Sequence, residues 1–163
     1  MNSKGSTTSR RVGFVVVGEA ITVVDAQVPD DGALPITVLS DSTWALQKGN
    51  RGSSLAVLHQ RCADYLRENH IDFVVVKASA LPTGAAKLAL LASAEVRGVV
   101  IAAAASVSRV EILSKAVVSR TYGDRKVDEY LKDDDFWDEH AVGHRLRKTS
   151  REAAMIVIAS RNS

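Results

Sequence analysis

The feature that most constrains this chain is a pair of apolar runs separated by only two residues. Residues 11–17 read RVGFVVV, residues 20–28 read AITVVDAQV, and Gly18-Glu19 alone lies between them. β-Branched and aromatic residues favour extended backbone, and a two-residue Gly-X link reverses a strand, so the segment specifies a β-hairpin. Pro29-Asp30-Asp31-Gly32 is turn chemistry, and residues 35–39 supply a third strand. The chain therefore opens on an antiparallel meander on which later elements pack.

The next segment, 41–52, is polar, carries two glycines and has Trp44 in its middle. A helix follows over 53–69. Leu55, Leu58, Cys62 and Leu66 recur three or four apart, while Arg61, Asp64, Arg67 and Glu68 take the other side, and Ser53 or Ser54 serves as N-cap. Residues 71–76, IDFVVV, are apolar almost throughout, the pattern of a parallel strand buried on both faces and reached through a helical crossover. An Ala-rich helix spans 85–105 behind Pro82-Thr83-Gly84, with Gly98 as its weak point. A fifth strand covers 110–113 and a short helix 114–121. Residues 124–148 read as a charged stretch, and Thr149-Ser150-Arg151-Glu152 has the form of a capping box ahead of an apolar last helix over 153–159.

Composition sets the outer bounds. A chain of 163 residues with 46% hydrophobic and 25% charged residues suits one domain with a real core, placed at 11–163 behind a polar tail, 1–10, expected to be disordered. The one cysteine, Cys62, excludes an internal disulfide and lies in a helical apolar pattern, as a buried structural thiol would. The polar start MNSKGSTTSRR lacks the apolar core of a secretion signal. The most apolar stretch, 98–107, is about half of what a bilayer demands. A cytoplasmic protein without a membrane partner is expected. The net charge of +2 does not by itself imply nucleic acid.

The order of elements resembles the RNase H-like superfamily and, within it, the RuvC-type Holliday-junction resolvases. The matching segments are RVGFVVVGEAITVVDAQV for the hairpin, DFVVVKA for the fourth strand, EVRGVVIAAAAS for the long helix, VEILSKAVVSRTYG behind it, and TSREAAMIVIAS for the last helix. The resemblance covers about residues 11–160. It implies an α/β domain with a mixed five-stranded sheet, the first three strands antiparallel and the others parallel, and helices on both faces. It also implies metal-binding acids at positions that here read Val15, Lys77, Thr149 and Glu152. Two divalent cations need several clustered anionic oxygens, and residues 12–17 contain no acid. No catalytic residue, metal or cofactor is therefore expected.

Several residues remain as candidates. Glu152 is expected to cap its own helix, where its charge complements the dipole. Lys77, at a strand end, either contacts a phosphate or is solvated. His144, Arg145, Arg147, Lys148 and Arg151 place five potential cations in eight residues, a candidate surface for DNA or RNA, unless the acids at 133–139 neutralise it. His140 and His144 are four apart, but exposed histidines are the commoner reading. Phe136 and Trp137 either anchor their loop on the core or form a hot spot for a partner protein, and Trp44 invites the same two readings. No GKS/T or GxGxxG phosphate loop is present.

Three functions follow. The first is a catalytically degenerate RuvC-like protein that binds nucleic acid, or a nucleic-acid-processing complex, through Lys77 and residues 144–151. The second is a homodimeric scaffold that uses the small-residue face of helix 85–105 and Trp137. The third, ranked last, is a nuclease with relocated carboxylates drawn from Asp25, Asp41, Glu152 and the acids at 133–139.

Overall fold

A computed structural model describes residues 7–80, 88–123 and 125–162. The hairpin forms as expected from β1 (Thr8–Val17) and β2 (Ala20–Pro29), and β3 (Ile36–Ala45) completes the meander. After α1 (Arg51–Glu68), β4 (Phe73–Lys77) lies parallel to β1. After α2 (Leu88–Val107), β5 (Arg109–Leu113) lies parallel to β4. The short helices α3 (Lys115–Ser119), α4 (Val127–Lys132) and α5 (Asp134–His140) lead to β6 (Ala141–Gly143) and the last helix, α6 (Arg151–Ala159).

The sheet has six strands in the order β5-β4-β1-β2-β3-β6, one more than the sequence suggests. The added strand, β6, pairs in parallel with Ile36, Thr37 and Val38. It belongs to the charged stretch read at 124–148, whose described residues, 125–148, are pinned to the core by the buried Tyr130, Phe136 and Trp137. Trp137 Nε1 donates to Tyr130 O at 2.8 Å. Both aromatics are therefore anchors, which removes Trp137 from any partner surface. Trp44 is likewise 4% exposed, packed edge-on to Tyr65 and covered by the Arg61 guanidinium.

Other boundaries move for identifiable reasons. β1 begins at Thr8, inside the expected tail, because Arg10 is held: its side chain meets the buried Asp25 at 2.7 Å, and its backbone N–H donates to Asp72 at 2.9 Å. β3 runs on to Ala45 past a register shift in which Asp25 pairs with Ser40 and Ala26 with Val38, leaving Leu39 unpaired with β2. The cap of α1 is Asn50, whose Oδ1 accepts from Ser53 N–H at 3.0 Å, so neither Ser53 nor Ser54 caps it. Residues 81–87, where Pro82-Thr83-Gly84 and the expected start of the Ala-rich helix fall, lie outside the described residues.

Alternation along the central strands divides the core into two layers. Val12, Phe14, Val16, Ile21 and Val23 face α1 and α2, with Cys62 and Leu66 of α1 and Val96, Val100, Ala103 and Ala104 of α2 against them. Val15, Val24, Ala26 and Val28 face α6, whose residues from Ala153 to Ala159 are all buried. Gly13 permits that contact: a Cβ there would lie 2.3 Å from Ala153 O. By length and composition α2 could cross a bilayer, yet the stripe it turns inward packs on the sheet as a core helix does. α2 and α6 approach the carboxyl ends of β1 and β4 from opposite faces of the sheet. That edge positions the candidate site.

Candidate nucleic-acid interface

Val15 and Val75 sit in the same core layer on adjacent parallel strands, and Lys77 follows two residues beyond Val75 on the same face. α6 brings Glu152 to this point, and Lys77 Nζ forms an ion pair with its carboxylate, each side chain about a quarter exposed (25% and 24%). Three of the positions singled out in the sequence, Val15, Lys77 and Glu152, thus gather at one end of the sheet. Thr149 is exposed on the 3₁₀ turn that leads into α6. The expected capping box does not form. Ser150, the residue before α6, makes no capping bond with its side chain, and its hydroxyl donates to Asp41 at 2.5 Å instead. Glu152 is taken by Lys77, so Lys77 is a partly exposed, ion-paired side chain rather than an unpaired one.

Of the acids considered for a relocated site, Asp25, Asp41, Asp133, Asp134 and Glu152 each meet a partner of their own. Asp25 is fully buried on the α1 side, where it accepts from Arg10 and, at 2.5 Å, from the Tyr65 hydroxyl. Burial, reinforced by that carboxylate, pushes the Tyr65 phenol up to about 12. Asp41 lies on β3 and accepts from Arg147 backbone N–H at 2.9 Å, Arg147 Nη2 at 2.8 Å and Ser150 Oγ. Burial pushes the Asp41 carboxyl up, but the Arg147 and Ser150 hydrogen bonds outweigh it and hold the group below the usual carboxylate range. Asp133 caps α5 by accepting from Phe136 N–H and also meets Arg125 at 3.1 Å, and Asp134 meets Arg151 at 2.7 Å. Among the described residues, no three His, Cys, Asp or Glu side chains cluster to hold a metal ion. His140 bonds Phe136 O through Nδ1 and stacks on the Phe136 ring at 4.1 Å, so it does not join His144 as a ligand pair.

The basic segment separates into two kinds of residue. Arg147 is committed to Asp41 and Thr43. Arg151 is only 8% exposed and is spent on Asp134 and Leu131 O, against the expectation that it faces a ligand. His144, Arg145 and Lys148 are exposed and form no ion pair among the described residues. They line a concavity of about 590 Å³ between β6, α5 and the start of α6, which Asp134 and Asp138 also line. Basic and acidic residues both line the concavity, and Trp137 and Leu146 form part of its wall.

One residue that the sequence does not single out is Arg97, which reaches the ends of β1 and β4 from α2. Leu90, Ser93 and Arg97 recur on one stripe of α2, three and four residues apart, and that spacing could have flagged it.

No model of a known protein family matches the chain, and no curated protein sequence does. Solved structures do match. The chain is similar to Thermus thermophilus RuvC, with a TM-score of 0.68 and 16% identity over 92% of both chains. It is similar to T. thermophilus RuvC in complex with Holliday junction substrate, at 0.66 and 15%, over 92% of this chain and 91% of that one. It is also similar to the yeast mitochondrial Holliday junction resolvase Ydc2, at 0.63 and 14%, over 98% of this chain and 80% of that one. At such identities the likeness establishes the architecture: this is an α/β domain of RuvC-like, RNase H-like fold.

Proposed function

We propose that this chain is a RuvC-like protein that binds nucleic acid without cutting it. The observation that carries the proposal is the Lys77–Glu152 ion pair beside Val15. A two-metal phosphodiesterase holds its cations with several anionic oxygens. Here Lys77 already pairs with Glu152, the carboxylate that α6 brings to the carboxyl ends of β1 and β4. Support for binding comes from Arg145 and Lys148, two exposed cations that line one concavity with the exposed His144, since phosphate contacts dominate nonspecific affinity for nucleic acid. The solved RuvC complex with a Holliday junction substrate makes a four-way junction the natural first probe.

Mobility shifts at low salt with four-way, duplex and single-stranded substrates test the proposal. Arg145→Ala with Lys148→Ala is expected to weaken binding at least about tenfold and to lower the salt slope by roughly two. No strand cleavage is expected with Mg²⁺ or Mn²⁺. Absence of any shift at low salt removes the binding half. Metal-dependent cleavage abolished by Glu152→Gln replaces it with the nuclease reading.

A homodimer is the second reading. The outer face of α2 exposes Leu88 (82%) and Leu91 (60%) together with Ala94, Gly98, Ala102 and Ala105. Light scattering is then expected to give twice the monomer mass, reverting to the monomer in Leu91→Glu. A monomer at high concentration refutes it.

A further inference from the structure

Arg97 is a largely desolvated cation without a counter-ion among the described residues. Its Nη2 donates to Val16 O at 3.1 Å and its Nη1 to Ser79 Oγ at 2.6 Å, while its Nε is buried and without a hydrogen-bond partner. No described carboxylate forms an ion pair with it, whereas Arg10, Arg51, Arg125, Arg147 and Arg151 each meet one. Residues 81–87, LPTGAAK, which join this region to α2, contain no acid that could serve. Burial alone acts on the Arg97 guanidinium and pulls its pKa below the ordinary value. Holding an uncompensated charge away from water is unfavourable, and an anion in contact with it removes most of that cost.

Arg97 also borders a hollow with room for such an anion. About 180 Å³ lies between the tip of the β1–β2 hairpin, Ser79–Ala80 and the Leu90/Ser93/Arg97 stripe of α2. Ser93 Oγ donates to Gly18 O at 3.1 Å and fixes the helix against the turn. Val17, 68% exposed, and Leu90, 38% exposed, give the hollow an apolar wall. In open α/β sheets, ligands bind outside the carboxyl ends of parallel strands. β1 and β4 both end at this hollow, with Lys77 turned to the other face.

We propose that this hollow is a phosphate subsite, in which Arg97 and Ser79 hold one phosphodiester group of a nucleic-acid backbone and Val17 and Leu90 line the neighbouring sugar. The backbone would then cross the strand ends on the face opposite the His144–Lys148 rim, a second contact independent of that segment. The identity of the ligand as nucleic acid rests on the function proposed above. Recognition of a phosphate oxyanion by Arg97 does not.

Two measurements separate the two ideas. The first follows arginine Nε–H signals of the whole ¹⁵N-labelled protein by NMR during titration with inorganic phosphate, with chloride at equal ionic strength as control. The Arg97 signal, assigned by its loss in Arg97→Lys, is expected to shift saturably with phosphate and not with chloride. The second compares binding of a fluorescent four-way junction to the wild type, Arg97→Gln and Arg97→Lys. Arg97→Gln is expected to weaken binding about tenfold and lower the salt slope by about one, and Arg97→Lys to restore most of the affinity. A phosphate response without nucleic-acid binding leaves the subsite standing and removes the nucleic-acid reading. An Arg97 signal indifferent to phosphate overturns the subsite, even where Arg145 and Lys148 prove to bind the junction. If Arg97→Gln does not fold, the wild-type phosphate titration decides alone.

Discussion

Adding one methyl group at Gly13 should show how firmly the candidate site is seated. A Cβ at Gly13 would lie 2.3 Å from Ala153 O, 2.9 Å from Val157 Cγ2 and 3.1 Å from Ala153 C. Two of these neighbours are backbone, so no side-chain rotamer relieves the overlap. α6 would have to withdraw from β1 by about 1 Å to restore ordinary contact. All the residues from Ala153 to Ala159 are buried, so that withdrawal loosens the whole lower layer of the core. Gly13→Ala is therefore expected to cost about 3 kcal/mol, at the upper end of what overpacking does. With a urea m-value of about 2 kcal/mol/M, the unfolding midpoint falls by about 1.5 M. Gly98→Ala is the matched control: nothing lies within 4 Å of its added Cβ, and Gly98 sits inside α2, so stability should rise by about 0.5–1 kcal/mol. Because Ala153 adjoins Glu152, Gly13→Ala should also loosen the Lys77 pair. A Gly13→Ala midpoint within about 0.3 M of the wild type would refute the close seating of α6 on β1, and with it the geometry of the site.

A double-mutant cycle of Lys77→Met and Glu152→Gln should give singles that each cost about 1–2 kcal/mol and a favourable coupling near 1 kcal/mol, because each single leaves a half-buried charge unpaired. Additivity by urea denaturation would mean that the pair does not form in solution. Asp41 has its folded-state pKa held down, so its contribution is fully present above its unfolded pKa of about 3.9 and is lost as pH falls through the lower folded value. Asp41→Asn should lose about 2 kcal/mol at neutral pH and flatten the acid limb of the stability profile below about pH 4, and an unchanged acid limb would contradict the Arg147–Asp41–Ser150 cluster. Burial pushes the Cys62 thiol up to about 12, so it should resist a thiol reagent at pH 8 until urea unfolds the chain, and fast labelling of native protein would refute its burial.

What could be read from the chain and what could not divides by distance along it. The meander, the buried strand read at 71–76 and the helical stripe of α1 are written in patterns a few residues long, and each formed with its ends shifted by a few residues. β6 escaped notice because three residues, Ala-Val-Gly, carry no period, and its partner β3 begins more than a hundred residues earlier. Arg10, Asp41 and Arg147 likewise look like ordinary polar residues until the fold brings them to Asp25, Arg147 and Asp41 in turn. Glu152 makes the same point more sharply. Thr149-Ser150-Arg151-Glu152 satisfies a local rule for helix starts, yet a carboxylate can serve either its own helix terminus or an ammonium brought alongside. Both contacts are charge-assisted, but the ammonium offers a full opposite charge where the helix terminus offers about half of one, so here the carboxylate goes to Lys77. The resemblance implies that Lys77 and Glu152 share one site, yet the residue patterns by themselves point to capping for Glu152 and to phosphate or solvent for Lys77. Their ion pair emerges only where α6 is seated against the end of β4. The same reasoning run backwards isolates Arg97: topology brings it to a strand-end hollow, no described carboxylate meets it there, and the unanswered charge calls for an anion from outside the chain.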